Sequence, residues 1–113
     1  MTESGIPPLL TVSQRQVGEA IVVSAAGEID INSAGQLREA LEAAATGPTL
    51  IIDLSGVEFI GSVGLTTLLV ATKAADTQQV RVVASPQVRR PIEMTGLDGV
   101  LALFDTLEDA ISQ

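Results

Sequence analysis

Residues 57–69 read VEFIGSVGLTTLL, which sets a single serine, Ser62, at the head of a leucine-rich run with helical spacing. Two roles suit a serine there. As a helix N-cap, its oxygen accepts a bond from an otherwise unpaired backbone N–H. As a phosphate acceptor, it holds the added group against the free N–H groups and positive dipole end of the helix it begins. Nucleophilic catalysis does not fit. The chain has no His and no Cys, which excludes a Ser-His-Asp triad, a Cys-His pair and a His- or Cys-ligated zinc site. The esterase elbow needs glycine two residues before the serine, where this chain has Ile60. A phosphate-binding loop needs Lys directly before Ser or Thr, and the single lysine, Lys73, lies far along the run. No Asp/Glu group has ligand spacing, so neither a metal nor another cofactor is expected, and the chain is not expected to be an enzyme.

The charge balance narrows the partners. Six Lys and Arg against fourteen Asp and Glu leave a net charge of −8 and a pI near 4.2. Such a surface repels phosphate backbones and anionic headgroups, so neither nucleic acid nor membrane is expected as a partner. No apolar run approaches the roughly 18 residues of a transmembrane helix. The opening MTESGIPP lacks the basic and apolar regions of a signal peptide. A cytoplasmic location is expected. With 46% hydrophobic residues, two Phe and no Trp or Tyr, the core must be built from Leu, Ile, Val and Ala.

These side chains need elements to position them. Residues 1–8 read as a short tail ending in Pro7-Pro8, and 9–113 as one domain. LLTVSQ (9–14) and AIVVSAA (20–26) flank Val17-Gly18-Glu19 and predict a hairpin. Residues 33–45 place Leu37, Leu41 and Ala44 at helical spacing, with Ser33 and Gln36 as a capping box and Gly47-Pro48 as the stop. TLIIDL (49–54) predicts a buried strand turned by Ser55-Gly56, and a second helix runs from about Ser62 to Ala75. VRVVA (80–84) is the next strand, followed by a helix capped by Ser85-Pro86, with a kink or restart expected at Pro91. LALF (101–104) suits a short edge strand, and Thr106 with Asp109 caps a last helix. Strands alternating with helices predict an α/β fold with a mostly parallel sheet.

Three blocks together resemble the STAS domain of bacterial anti-sigma-factor antagonists: GEIDINSAGQL (27–37), LIIDLSGVEFIGSVGLTTLL (50–69) and VVASPQVRRPIEMTGLDGVLALF (82–104). The resemblance covers nearly the whole chain from about residue 9. It implies a single α/β STAS domain: a four- or five-stranded mixed, mostly parallel sheet with an N-terminal hairpin and about four helices. It also implies partner switching. The unphosphorylated domain binds an anti-sigma factor, usually a serine kinase, and so frees a sigma factor. Phosphorylation of a serine at the start of the second helix ends the binding, and a phosphatase resets the switch. That serine matches Ser62. The partner surface carried over by the resemblance comprises Asp30, Ser33, Gly61, Ser62, Val63 and Gly64, on a monomer or weak dimer. Asp30 also reads as a turn acid, Ser33 as a cap, and Gly64 as a close-packing position. Ser55 is the second choice of phosphate acceptor. The chain departs from the pattern at Gly61 and Val63, where the usual loop has Asp before the serine and often a second serine after it. An unphosphorylated STAS scaffold within a multiprotein or transport complex is the alternative reading.

Overall fold

A computed structural model describes residues 9–75 and 77–113; the tail expected at 1–8 lies outside them. Strand β1 (Leu10–Val17) and strand β2 (Ala20–Ile29) form the expected hairpin. They pair antiparallel from Leu10 opposite Gly27 to Val17 opposite Ala20. Helix α1 (Ala34–Ala43), strand β3 (Thr49–Ile60), helix α2 (Ser62–Ala74), strand β4 (Gln79–Ala84) and helix α3 (Pro86–Met94) follow. A 3-10 turn (Leu97–Gly99), strand β5 (Ala102–Phe104) and helix α4 (Leu107–Ser112) complete the order. The five strands lie in sequence order across one sheet. Every pair after the first is parallel. Parallel neighbours need a crossover, and the helices between strands supply it.

Both sheet faces are covered, unequally. The main core joins Val23, Ile29, Leu50, Ile52, Leu54, Val57, Ile60 and Val82 to Leu37 and Leu41 of α1, Leu65 and Leu68 of α2, and Val88 and Ile92 of α3. On the opposite face Val22, Ile51 and Val83 pack with Ala110 of α4. Burial on two faces explains why LII and VV in the central strands are apolar runs without alternation.

Two expectations need correction. Ser55-Gly56 does not turn the chain, because β3 runs on for twelve residues to Ile60. Gly56 instead lies beside Ala26, where a Cβ would stand 3.0 Å from the Ala26 Cβ. The ladder shifts register between Ser24 and Ala26 and again between Gly27 and Glu28. The glycine therefore serves a close approach beside an irregularity, not a turn. Likewise α3 does not restart at Pro91, which lies inside one continuous helix. As the sixth of nine residues it removes one intrahelical donor, and the helix still runs on to Met94. The caps of the last two helices agree with expectation: Ser85 accepts from the Val88 N–H, and Thr106 from the Asp109 N–H. Among the described residues no helix is long and apolar enough to cross a membrane.

Candidate functional site

Two helix starts meet at the carboxyl ends of neighbouring parallel strands. β2 and β3 end in register at Ile29 and Ile60. The Gly61 N–H then donates to the Ile29 carbonyl at 2.8 Å. This bond ties the chain leading into α2 to the chain leading into α1. In open α/β sheets, functional sites gather beyond the carboxyl ends of the strands.

Ser62 stands at the first helical position of α2, exposed to solvent. It is not the N-cap. Gly61 has that place, with extended backbone (φ −89°, ψ −179°), and no side chain caps the helix. Its carbonyl takes the first helical bond, from the Leu65 N–H at 3.1 Å. The N–H groups of Ser62, Val63 and Gly64 are thus the unpaired donors every helix start leaves. Gly64 fixes the docking of this end. A Cβ there would stand 2.6 Å from Ile60 Cγ1 and 2.7 Å from Ile29 Cγ2, so only glycine lets the first turn lie on the strand ends. Gly61 carries no such constraint, since a Cβ would find the Phe59 ring at an ordinary 3.6 Å.

The α1 side is organised by Asp30. Its Oδ1 accepts from the Asn32 N–H at 2.8 Å and the Ser33 N–H at 3.2 Å. The expected capping box is absent, because the Ser33 side chain caps nothing. Its hydroxyl turns back, donating to the Glu28 carbonyl at 2.8 Å and accepting from the Asp30 N–H at 2.9 Å. Gln36, the other half of that expected box, donates to the Leu10 carbonyl of β1 at 3.2 Å. The Asp30 side chain thus holds the turn ahead of α1 as an Asx turn, while the Asp30 backbone carbonyl takes the Ala34 N–H at 2.8 Å.

Six residues were expected at this surface, and the fold brings them together in two layers. Ser62 and Val63 are exposed, while Gly61 and Asp30 are half-buried. Ser33 is 4% exposed and Gly64 is buried, so they shape the site from beneath. Sequence reasoning missed two apolar side chains beside them, Ile31 at 78% exposure and Phe59 at 51%. The signal was available: a strand whose last residue, Ile60, faces the core must turn Phe59 outward. Ser55 is exposed on β3, and its hydroxyl donates to Asp53 Oδ1 at 2.7 Å. Among the described residues no group of His, Cys, Asp and Glu is placed to hold a metal ion.

Comparison with known proteins agrees with this fold. A family model described as the STAS domain matches residues 11–110. Over 111 residues the chain is 47% identical to the anti-sigma-F factor antagonist RsfB of Mycobacterium tuberculosis, covering 94% of this chain and 90% of that one. It superposes on the crystal structure of an anti-sigma factor antagonist from Mycobacterium paratuberculosis with a TM-score of 0.87 and 42% identity, covering 91% and 92% of the two chains. The unphosphorylated form of the anti-sigma factor antagonist SpoIIAA shares the fold at a TM-score of 0.73 and 22% identity, over 89% and 93%.

Proposed function

The chain belongs to the STAS domain family, and we propose that it is an anti-sigma-factor antagonist switched by phosphorylation of Ser62. Its unphosphorylated form binds an anti-sigma factor with serine-kinase activity and so releases a sigma factor. Transfer of phosphate to Ser62 ends the binding, and a separate phosphatase restores it. The observation that carries this reading is the exposed Ser62 hydroxyl at the first position of α2, flanked by exposed Phe59 and Val63.

The mechanism is local electrostatics and hydration. Exposed apolar side chains around a small hydroxyl suit a dehydrated contact. A phosphate adds about −1.5 to −2 charges and a tightly held hydration shell. In the free protein the unpaired N–H groups at the α2 start accept that charge readily. Within a contact the same group loses water and opposes any carboxylate facing it. Converting a complex from almost fully bound to almost fully free takes about 5.5 kcal/mol of differential affinity. The domain need supply no catalytic group, since base, nucleotide and Mg²⁺ belong to the kinase.

A second reading, a scaffold that is never phosphorylated, draws on Gly61, which leaves no carboxylate beside the hydroxyl to orient it. One experiment separates the two. Wild type, Ser62→Ala and Ser62→Glu are incubated with the captured partner, with and without ATP, and modification is mapped by mass spectrometry. The switch predicts phosphate on Ser62, retained binding by Ser62→Ala in ATP, and lost binding by Ser62→Glu. Phosphate on Ser55 instead, or equal binding by all three forms, rejects it.

A further inference from the structure

Among the described residues the outer edge of β1 pairs with no strand. In this antiparallel pair the Glu28 N–H donates to the Leu9 carbonyl. With Leu10 opposite Gly27, hydrogen bonding alternates along the ladder. The odd positions 11, 13, 15 and 17 therefore point their backbone groups at β2, and the even positions point theirs away from the sheet. At the first of these, the Leu10 carbonyl is taken by the Gln36 side chain. Among the described residues no strand pairs with the outward N–H and C=O groups of Val12, Gln14 and Gln16.

Proteins usually blunt such an edge with Pro, charge, a bulge or shortness. β1 has little of this. It is eight residues long, LTVSQRQV, with one charge, Arg15, and no Pro. Its pairing with β2 runs without a register shift. It also carries no carboxylate in a chain with fourteen, so two copies meet here without the repulsion found elsewhere on the surface. Gln14 and Gln16 are exposed on the face that bears α1, so that helix does not overhang this part of the edge.

We infer that β1 is a homodimer interface, in which two copies pair antiparallel about a twofold axis at Gln14. Gln14 then lies opposite its own copy and Val12 opposite Gln16. The outward groups at these three positions satisfy one another in about six backbone hydrogen bonds across the axis. On the other face Arg15 stands opposite Ser13, so no like charges meet directly. The isologous pairing closes on itself and extends the sheet across both subunits. The axis lies perpendicular to the sheet, so the two Ser62 sites point in opposite directions and stay accessible. This inference is independent of phosphorylation.

Sedimentation equilibrium of the full chain, from micromolar to millimolar concentration, tests it. Wild type is expected to show a reversible monomer–dimer equilibrium. Gln14→Pro removes an outward donor from each copy and leaves the ladder to β2 intact, and should weaken dimerisation about tenfold or more. Gln14→Lys sets two cations face to face across the axis and should do the same without altering the backbone. Ser62→Glu should dimerise as wild type does. A monomer at every concentration, or a dimer indifferent to both Gln14 variants while circular dichroism shows them folded, overturns the inference.

Discussion

Gly64→Ala adds one methyl group at the point where α2 meets the strand ends. Its Cβ would stand 2.6 Å from Ile60 Cγ1, 2.7 Å from Ile29 Cγ2 and 3.1 Å from Ile60 Cδ1. Carbon contacts are most favourable at about 3.5–4.0 Å, so the closest pair is short by about 1 Å. Neither isoleucine can yield easily. Ile29 is 0% and Ile60 5% exposed, both are β-branched, and both sit in paired strands. Overpacking of this kind costs about 1–3 kcal/mol. Against it stands a gain of at most about 1 kcal/mol from replacing glycine by alanine in a helix. The net expectation is a loss of about 1 kcal/mol, relieved by lifting the α2 start and Ser62 off the sheet. Gly35→Ala supplies the control in the first turn of α1. There the nearest atom to a new Cβ is Arg38 Nη2 at 3.9 Å, so the helix gain of up to about 1 kcal/mol survives. Urea unfolding of both variants, at unchanged m-value, reads the difference directly. Gly64→Ala should unfold earlier than wild type and Gly35→Ala later. If Gly64→Ala equals or exceeds Gly35→Ala in stability, the α2 start is not seated on Ile29 and Ile60, and the account of how Ser62 is placed fails.

Thr72 Oγ1 is buried without a hydrogen-bond partner among the described residues, so Thr72→Val should raise stability by about 1 kcal/mol in urea unfolding. An unchanged or lowered midpoint would mean the hydroxyl is satisfied. Gly61→Asp fits the extended backbone and the 3.6 Å clearance beside Phe59. It gives α2 the side-chain cap it lacks and should add about 0.3–1 kcal/mol, read as an upward shift in melting temperature. A destabilised Gly61→Asp would show that the position demands glycine after all.

The order of strands and helices was legible because each rests on short-range chemistry. Ser85-Pro86 and Thr106 with Asp109 announce helix starts through bonds spanning three residues. The Gly18 turn, at φ 61°, suits a hairpin tip that glycine favours. The position of Ser62 ahead of an apolar helical run is local in the same sense. The failures share one cause. Ser33 and Gln36 have the spacing of a capping box, but the Glu28 and Leu10 carbonyls, distant in sequence for Gln36, compete for their side chains and win. Ser55-Gly56 has the composition of a turn, yet β2 holds that stretch in the ladder. Composition and spacing by themselves determined the α/β alternation, the aliphatic core, the acidic surface and the absence of a His- or Cys-based active site. Only the tertiary structure decided that Gly61 rather than Ser62 is the N-cap of α2, that the Ser33 side chain turns back to Glu28 and Asp30 instead of capping α1, and that Phe59 and Ile31 stand exposed beside the serine. The seating of α2 on Ile29 and Ile60 and the capture of Gln36 by the Leu10 carbonyl depend on groups distant in sequence sharing one space or one polar atom, and that is settled by packing between elements.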